Sequence, residues 1–416
     1  MKRYDSPRWS GEILDCSMPM TMDTYSLCSY RCLYCFSFFQ KALRRNSPSS
    51  VGKRDYLQGK VRMVDPERVK RIFSDPDSSQ FGEYVKQRIA FQWGGLADQF
   101  DENERKYGVT LSLLPFFREI EYPISFSTKA TWWTQDARYI DIFRGADHFN
   151  VKVSIITLDE EKARQSEILV PTPKERLAAI GRLAKLGIGG VTLRLRPFIF
   201  GISTPTFKDL IHAAAQEGAE AVSTEFLCME TRSALARNRF ELLGGVAGYD
   251  LIKMHKLSSK HQSGYLRGNR EMKRQYIDAM QEQCEKDGLR FYVSDAHFKE
   301  RCANGSCCGL RPDWNYSRGQ FTEALQIAKR EGRVTWGDIA PALSWANVLF
   351  SNAGCGNMSS TEKRSRFYKF TQFDYMHYYW NAVNEKVSPY KYFGGVLHPV
   401  GRDEAGDVIY EYRGDV

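Results

Sequence analysis

Three cysteines near the start of the chain limit what it can fold into more than any other feature does. Cys28, Cys32 and Cys35 have the spacing C-x3-C-x2-C inside a strongly aromatic loop that spans residues 24 to 38. Three thiolates this close in sequence can face one side of an iron–sulfur cluster and bind three of its irons, because soft sulfur ligands suit such clusters. The fourth iron then keeps an open coordination site, which permits chemistry there.

A zinc site and a chance group of thiols are the two alternatives for this loop. Structural zinc prefers paired C-x2-C units with a distant partner pair, and the sequence contains no such arrangement. The chain has ten cysteines and no apolar segment behind its charged first residues. This combination predicts a reducing compartment, where metal or redox use of cysteine is more common than disulfides.

The composition is that of a globular protein. The chain has 416 residues, of which 42% are hydrophobic, so a sizeable core is expected. No stretch approaches the 18 or so uninterrupted apolar residues that a membrane-spanning helix needs. These features predict a cytoplasmic protein without a membrane segment.

Segments typical of strands and helices alternate from about residue 85 onwards. Strand-like segments are followed by amphipathic ones, as in the helix predicted over residues 174–186 with a glycine directly after it. Such alternation predicts an α/β fold with a parallel sheet, whose strand carboxyl ends build the site. The predicted strands cover residues 88–93, 123–128, 149–156, 191–199 and 219–227.

The cysteine loop, including Tyr34 directly before the third cysteine, resembles the signature of the radical S-adenosylmethionine (SAM) superfamily. Residues 124–129 (ISFSTK), 153–159 (VSIITLD) and 194–201 (RLRPFIFG) are similar to the branch that contains spore photoproduct lyase and the DNA repair photolyase-like proteins. We therefore expect a partial (β/α)6 TIM-like barrel over residues 10–228. A C-terminal α+β extension over residues 229–416 is expected to help close the substrate site.

The resemblance also implies the cofactors and the first chemical step. One 4Fe-4S cluster would be held by the three cysteines, and SAM would bind at its open iron. An electron from a reductant such as flavodoxin or ferredoxin would cleave SAM to methionine and a 5'-deoxyadenosyl radical. That radical would abstract a hydrogen atom from the substrate, while the protein positions SAM and excludes water.

A glycine turn after the second strand is the predicted binding site for the methionine end of SAM. Radical SAM enzymes have Gly-Gly-Glu there, and this chain has Gly94 and Gly95 followed by Leu96. Glycines allow a close approach of the backbone to a ligand. Leu96 departs from the family pattern, and Asp98 is a candidate for the missing carboxylate. A simple turn between a strand and a helix is the alternative for the two glycines.

Charged and polar residues at strand ends complete the predicted SAM site. By resemblance, Lys129 would pair with the SAM carboxylate and Ser154 would hydrogen-bond nearby. Arg194 and Arg196 lie two residues apart and so share one face of a strand. Buried arginines need an anion, and the candidates are SAM, a substrate phosphate or Glu225 on the following strand.

A second group of cysteines lies in the C-terminal part. Cys302, Cys307, Cys308 and Cys355 are candidate ligands of an auxiliary 4Fe-4S cluster, because adjacent thiols fit one zinc tetrahedron poorly. Cysteines that bind no metal are the alternative, since free cysteine is often a core residue. The remaining cysteines are assigned to that class, namely Cys16, Cys228 and Cys284.

The net charge and its distribution along the chain predict the kind of molecule that the protein binds. The net charge is +9, with ten basic against three acidic residues from Lys41 to Arg71 and seven against one from Lys253 to Arg274. Such stretches are typical of nucleic-acid binding, although they are also found in solvated loops. The favoured substrate is therefore a nucleobase of DNA or RNA. The alternatives are a peptide or protein side chain and, in a different class, a noncatalytic metal-binding protein that binds nucleic acid.

One family feature is missing. The resemblance implies that spore photoproduct lyase uses a cysteine near the end of the second strand to return a hydrogen atom to its thymine lesion. Residues 92–99 contain no cysteine. We therefore do not expect reversal of thymine lesions. Aromatic residues of the C-terminal part are candidates for base stacking or for the core, namely Trp314, Tyr316, Phe367, Tyr368, Tyr375, Tyr378 and Tyr379.

Overall fold

A computed structural model describes residues 4–38, 61–230, 234–262, 265–349 and 367–414. The strands are β1 (Arg8–Trp9), β2 (Met20–Met22), β3 (Arg31–Cys32), β4 (Phe91–Trp93), β5 (Ile124–Thr128), β6 (Phe149–Ser154), β7 (Glu167–Ile168), β8 (Gly190–Phe198), β9 (Ala221–Phe226), β10 (Cys228–Glu230), β11 (Ser259–Gln262), β12 (Tyr265–Gly268), β13 (Arg290–Val293), β14 (Arg333–Val334), β15 (Leu397–Arg402) and β16 (Val408–Tyr412).

Helices connect most of the strands. They are α1 (Pro66–Ser74), α2 (Gly82–Lys86), α3 (Glu102–Tyr107), α4 (Val109–Glu119), α5 (Ala137–Phe143), α6 (Glu160–Ser166), α7 (Pro173–Ala184), α8 (Phe207–Gln216), α9 (Ala234–Ala247), α10 (Leu251–Ser258), α11 (Arg270–Lys286), α12 (Phe321–Glu331), α13 (Trp336–Ile339), α14 (Gln372–Asn381) and α15 (Pro389–Tyr392).

One sheet of eight strands organises the molecule, in the order β1-β2-β4-β5-β6-β8-β9-β13. Every neighbouring pair from β2 to β13 is parallel, and only β1 runs antiparallel to β2. The predicted α/β fold with a parallel sheet of partial-barrel type is confirmed. The sheet also takes β13 from beyond residue 228, while the proposed division into 10–228 and 229–416 stays a prediction.

The outer and inner faces of the sheet differ in polarity because successive side chains of a strand point to opposite faces. In β6, Phe149, Val151 and Val153 are fully buried on the apolar face, against which helices such as α7 pack. Helix α7 begins with a capping box between Thr172 and Glu175. The other face of the sheet carries polar side chains, including those at positions 150, 152 and 154 of β6 and 192, 194 and 196 of β8.

Smaller sheets surround this core. The pair β3 and β7, the antiparallel sheet β10-β12-β11 and the antiparallel sheet β14-β16-β15 complete the described part of the chain. A search of the described helices finds none with the length and apolar character needed to cross a membrane.

Candidate iron–sulfur and substrate site

The cysteine loop begins where β2 ends and lies over the carboxyl ends of the parallel strands. Within it, β3 pairs with β7, so that Cys32 lies opposite Glu167. The Leu33 amide donates to the Ser166 carbonyl at 2.8 Å, and the Ser37 hydroxyl donates to the Leu96 carbonyl at 2.6 Å. The loop is therefore fixed to the connections that follow β4 and β6, at the edge where α/β proteins build their sites.

The three thiols of this loop lie near one another. Cys32 is buried, whereas Cys28 and Cys35 are partly exposed. Burial raises the pKa of Cys32 to about 12 and that of Cys28 well above its usual value. Cys28 and Cys35 each interact electrostatically with Cys32. Without a metal, Cys28 and Cys32 therefore keep their protons, and metal binding has to displace them.

The donor set of the loop consists of three cysteine thiols. Across the described residues, no group of three or more His, Cys, Asp and Glu side chains is arranged to hold one metal ion. A four-iron cluster makes a different demand, because its three thiolates bind three separate irons. Three neighbouring thiols at the edge of the sheet fit that demand by type and number.

A buried cluster of charged side chains contacts the cysteine loop. Glu167 accepts hydrogen bonds from the Tyr34 hydroxyl and, at 2.6 Å, from the Arg176 guanidinium. The Lys129 ammonium lies 3.7 Å from Glu167 and 5.5 Å from the centre of the Tyr34 ring. Lys129, predicted to meet the SAM carboxylate, thus already has a carboxylate partner inside the protein. Its role toward SAM stays a prediction.

Glu167 is ionised in this environment. Burial alone opposes its charge, but Arg176 and Lys129 outweigh burial and hold its pKa below the ordinary value of 4.5. The backbone of Glu167 also pairs with that of Cys32 in the short sheet of β3 and β7. Glu167 therefore connects the cysteine loop to the barrel through both its side chain and its backbone.

Another residue that the sequence did not reveal acts on the same loop. Arg239 of α9 donates to the carbonyl of Leu33 at 3.1 Å and also to that of Cys32. Its guanidinium lies 4.3 Å from the centre of the Phe38 ring. No spacing or motif marks Arg239, Glu167 or Arg176, because their roles arise from packing between distant segments.

The Gly94-Gly95 turn lies directly after β4 and is held by Asp23. The Asp23 carboxylate accepts the amides of Leu96 at 2.7 Å and Ala97 at 3.0 Å, and it pairs with Arg8. Gly94 has a φ of +91°. A Cβ there would lie 2.1 Å from the Gln99 side-chain oxygen and 2.7 Å from a backbone carbonyl. Packing alone thus requires glycine at position 94.

Replacement of each glycine by alanine separates packing from ligand binding. We expect Gly94→Ala to cost about 1–3 kcal/mol of unfolding free energy, because alanine is strained at the positive φ and meets close contacts. Gly95→Ala meets the end of the flexible Arg8 side chain at 3.2 Å and Thr21 at the ordinary contact distance of 3.7 Å, so it should be close to neutral for stability. Denaturant unfolding measures both variants. A Gly95→Ala variant that folds normally but binds SAM weakly would assign that position to the ligand, whereas equal stability of the two variants would contradict the packing argument.

The Asp98 carboxylate accepts hydrogen bonds from groups inside the protein. It accepts them from the Thr128 hydroxyl at 2.9 Å, the Lys129 amide at 2.6 Å and the Phe100 amide at 3.0 Å. Burial raises its pKa above the ordinary value. Asp98 thus ties the turn after β4 to the end of β5, and the structure gives no support to its candidacy as the missing SAM carboxylate partner.

Ser154 and Arg194 meet on the inner face of the sheet. The Ser154 carbonyl accepts from Arg176 at 2.7 Å, and its hydroxyl lies 3.5 Å from the Arg194 guanidinium. Arg196 forms an ion pair with Glu225 and donates to the Ser294 hydroxyl at 2.9 Å. SAM, a substrate phosphate and Glu225 were the candidate partners of Arg196, and in the structure its partner is Glu225.

The second cysteine segment lies on the inner face of the sheet. The Ser223 hydroxyl donates to the Cys307 carbonyl at 2.9 Å, and the Tyr292 hydroxyl donates to the Leu310 carbonyl at 2.6 Å. A hydrogen bond between the neighbouring thiols lowers the pKa of Cys308 to about 6. The segment thus occupies part of the concave side of the partial barrel.

Three of the proposed ligands of an auxiliary cluster lie near one another, because Cys307 interacts electrostatically with both Cys302 and Cys308. The Cys302 sulfur lies 3.2 Å from both the amide nitrogen and the carbonyl oxygen of Val293, and Cys355 lies outside the described residues. Cys16, assigned to the core, is close enough to Cys307 to interact with it electrostatically. An auxiliary cluster at Cys302, Cys307, Cys308 and Cys355 stays a prediction.

The structure places part of the predicted nucleic-acid surface inside the protein. Lys273 is buried in an ion pair with Asp295, and Arg270 pairs with Glu300. Most of the basic stretch from Lys41 to Arg71 lies outside the described residues. Several of the C-terminal aromatic residues are buried in the core, while Tyr368 is 68% exposed. The buried aromatic residues are Trp314, Tyr316, Phe367 and Tyr379.

Comparison with known proteins identifies the fold. No protein-family model matches the chain. No curated protein sequence matches it either. The parallel partial barrel is a fold that the chain shares with solved structures of spore photoproduct lyase.

Two of these structures are informative. A cysteine-to-serine mutant of spore photoproduct lyase is 16% identical to the chain, with a TM-score of 0.51 over 71% of this chain and 81% of that one. A cysteine-to-alanine mutant with bound dinucleoside spore photoproduct is 15% identical, with a TM-score of 0.51 and the same coverage. At this level of identity the likeness establishes the shared fold.

Proposed function

We propose that the protein is a radical SAM enzyme. Cys28, Cys32 and Cys35 would hold one 4Fe-4S cluster, with SAM at its open iron. The observation that carries the proposal is the position of the loop, because its three neighbouring thiols lie over the carboxyl ends of a parallel sheet. When bound, the cluster and SAM supply an electron and a carbon-centred radical that removes a hydrogen atom from the substrate.

The chain's own residues prepare this site. Arg239 and Glu167 fix the backbone of the loop, and Tyr34 covers the Lys129 ammonium. Gly94, Gly95, Lys129 and Ser154 are proposed to contact SAM, because they lie in or beside the connections that also hold the cysteine loop. Arg196, also predicted to bind the cofactor, is here assigned to the pair with Glu225. A flavodoxin or ferredoxin is the proposed source of the electron.

We propose a nucleobase of DNA or RNA as the substrate. The solved structure with a bound dinucleoside shows that this fold accommodates such a ligand in spore photoproduct lyase. The polar inner face of the sheet and the net charge of +9 suit a phosphate-containing substrate. Residues 92–99 lack a cysteine, so modification of a base is favoured over reversal of a thymine lesion.

The activity is tested first without any substrate. Protein reconstituted anaerobically with iron and sulfide should contain at least about four irons per chain. Incubation with SAM and dithionite should then release 5'-deoxyadenosine and methionine, measured by chromatography. Absence of 5'-deoxyadenosine from protein with a full complement of iron would contradict the enzymatic proposal and leave a noncatalytic metal protein.

Binding then separates the substrate classes. Affinity for single-stranded and double-stranded oligonucleotides should fall steeply as salt rises, because phosphate contacts release counterions. Protein that cleaves SAM but binds no oligonucleotide at low salt would exclude the nucleic-acid substrate. That result would favour the alternative, a peptide or protein side chain.

A further inference from the structure

Two cations on the inner face of the sheet have no Asp or Glu within ion-pair distance among the described residues. Lys152 of β6 is 2% exposed, and its ammonium donates to the Gln92 side-chain oxygen. Arg194 of β8 contacts the Ser154 hydroxyl at 3.5 Å. Both differ in this respect from Arg196, which pairs with Glu225.

Sheet geometry brings the two cations together. In the register of β6 and β8, Lys152 lies opposite Thr192 and Ser154 lies opposite Arg194. Lys152 and Arg194 are thus diagonal neighbours on one face. Gln92 also donates to the Ser127 hydroxyl at 2.9 Å, and this orients its oxygen toward the Lys152 ammonium. The pair is therefore held in place from the adjacent strands.

Two like charges in this position are unfavourable for folding alone. Burying an ammonium or a guanidinium costs free energy unless an anion compensates it, and the two cations also repel each other. The other charged or titratable groups that influence the pair are Arg196, Glu225, Tyr34, Cys307 and Cys308. Among them the Cys308 thiol, whose pKa is lowered, interacts most strongly with the Lys152 ammonium. Arg194 is partly exposed on the concave side of the sheet, whereas Lys152 beside it is buried.

We propose that Lys152 and Arg194 form an anion site that binds a phosphate of the substrate inside the partial barrel. The ammonium supplies a compact charge and the guanidinium a planar donor pair, a combination that suits phosphate oxygens. This inference rests on the proposed nucleic-acid substrate and assigns the residues that hold its backbone. It also separates Arg194, a phosphate ligand, from Arg196, a structural partner of Glu225.

The test compares a charged with a neutral ligand. A deoxydinucleotide with a phosphodiester and the same dinucleotide with a methylphosphonate linkage are titrated into the reconstituted full-length protein. Wild type should bind the phosphodiester more tightly. Lys152→Met and Arg194→Gln should each weaken binding of the phosphodiester by about 10- to 100-fold, as expected for loss of a charge-assisted hydrogen bond, and leave the methylphosphonate unaffected. Lys174→Met, an exposed lysine on α7, is the matched control and should change neither affinity.

Stability and inorganic phosphate complete the design. Lys152→Met should melt at the same or a higher temperature than wild type, because a buried charge without a carboxylate partner is removed. If wild type binds inorganic phosphate and both variants lose this binding, the anion site is supported. If dinucleotides do not bind in the same experiment, only the nucleic-acid proposal fails. The inference would be overturned if wild type does not bind inorganic phosphate and also binds the phosphodiester no more tightly than the methylphosphonate. An unchanged phosphate preference in both variants would also overturn it.

Discussion

Replacing Cys28, Cys32 and Cys35 together by alanine is expected to abolish release of 5'-deoxyadenosine from SAM and to remove about four irons per chain. The reason is that each thiolate would hold a separate iron, so that the cluster loses every protein ligand at once. Iron and sulfide analysis after anaerobic reconstitution measures the first effect, and chromatography of the reaction with dithionite measures the second. Retention of SAM cleavage by the triple variant would refute the assignment of the loop.

A control variant shows whether the loss of iron and activity is specific to the three cysteines of the loop. Cys284→Ala removes a thiol that is fully buried in α11, so this variant should keep its iron and activity while losing about 1 kcal/mol of stability.

Cys307→Ala combined with Cys308→Ala tests the auxiliary cluster. Wild type with about eight irons per chain, falling to about four in that double variant, would establish a second cluster. About four irons in both proteins would exclude it.

Replacing Glu167 by alanine is expected to destabilise the protein by about 3–5 kcal/mol. The change leaves Arg176, itself buried, without its carboxylate, and an uncompensated buried charge has this cost. It also removes the acceptor of the Tyr34 hydroxyl and the partner of Lys129. Denaturant unfolding measures the free energy. Iron retention in the presence of a chelator should fall as well, because the loop loses its anchor.

A second substitution identifies the cause. The double variant Glu167→Ala with Arg176→Met should recover part of the lost stability, since it removes the orphaned charge, whereas two independent effects would add. Glu161→Ala is the matched control, because Glu161 forms an exposed pair with Arg164 and such pairs contribute little. Additive losses in the double variant would contradict a stabilising ion cluster around Glu167.

The pH dependence of this cluster has a definite sign. The pKa of Glu167 is lower in the folded protein than its ordinary value of 4.5. Its contribution to stability is therefore complete above about pH 4.5 and is lost as the pH falls through the lower, folded-state pKa. Wild type should lose stability more steeply than Glu167→Ala in this acidic range, as measured by denaturant unfolding at several pH values.

The sequence predicted the architecture because hydrophobic periodicity reports directly on burial. The strand predicted over residues 191–199 is observed as Gly190–Phe198, and the helix over 174–186 is observed as Pro173–Ala184. The cysteine spacing likewise located the proposed cluster site, since neighbouring ligands are visible in a linear sequence. The sequence also named Glu225, on the following strand, among the candidate partners of Arg196, and the structure contains this ion pair.

The supports of the site depended on tertiary structure. Glu167 contacts Tyr34 across a sequence separation of 133 positions, and Arg239 reaches the cysteine loop from more than two hundred residues away. A sequence pattern reports a residue's own element and its period, while such contacts depend on how distant elements pack. Asp98 is the instructive case, since its sequence neighbours suggested a ligand role, while the hydrogen bonds that it accepts from Thr128 and Lys129 depend on the packing of separate strands.

The sequence by itself thus determined the parallel α/β sheet and the three-cysteine loop, because both depend on short-range spacing. Only the tertiary structure decided what surrounds that loop and which of the described cations lack a carboxylate. Lys152 illustrates the difference, since in the sequence it is one lysine in a strand of alternating polarity. Its burial beside Gln92 and Arg194, and the lack of a carboxylate near it within the described residues, follow from the pairing of separate strands.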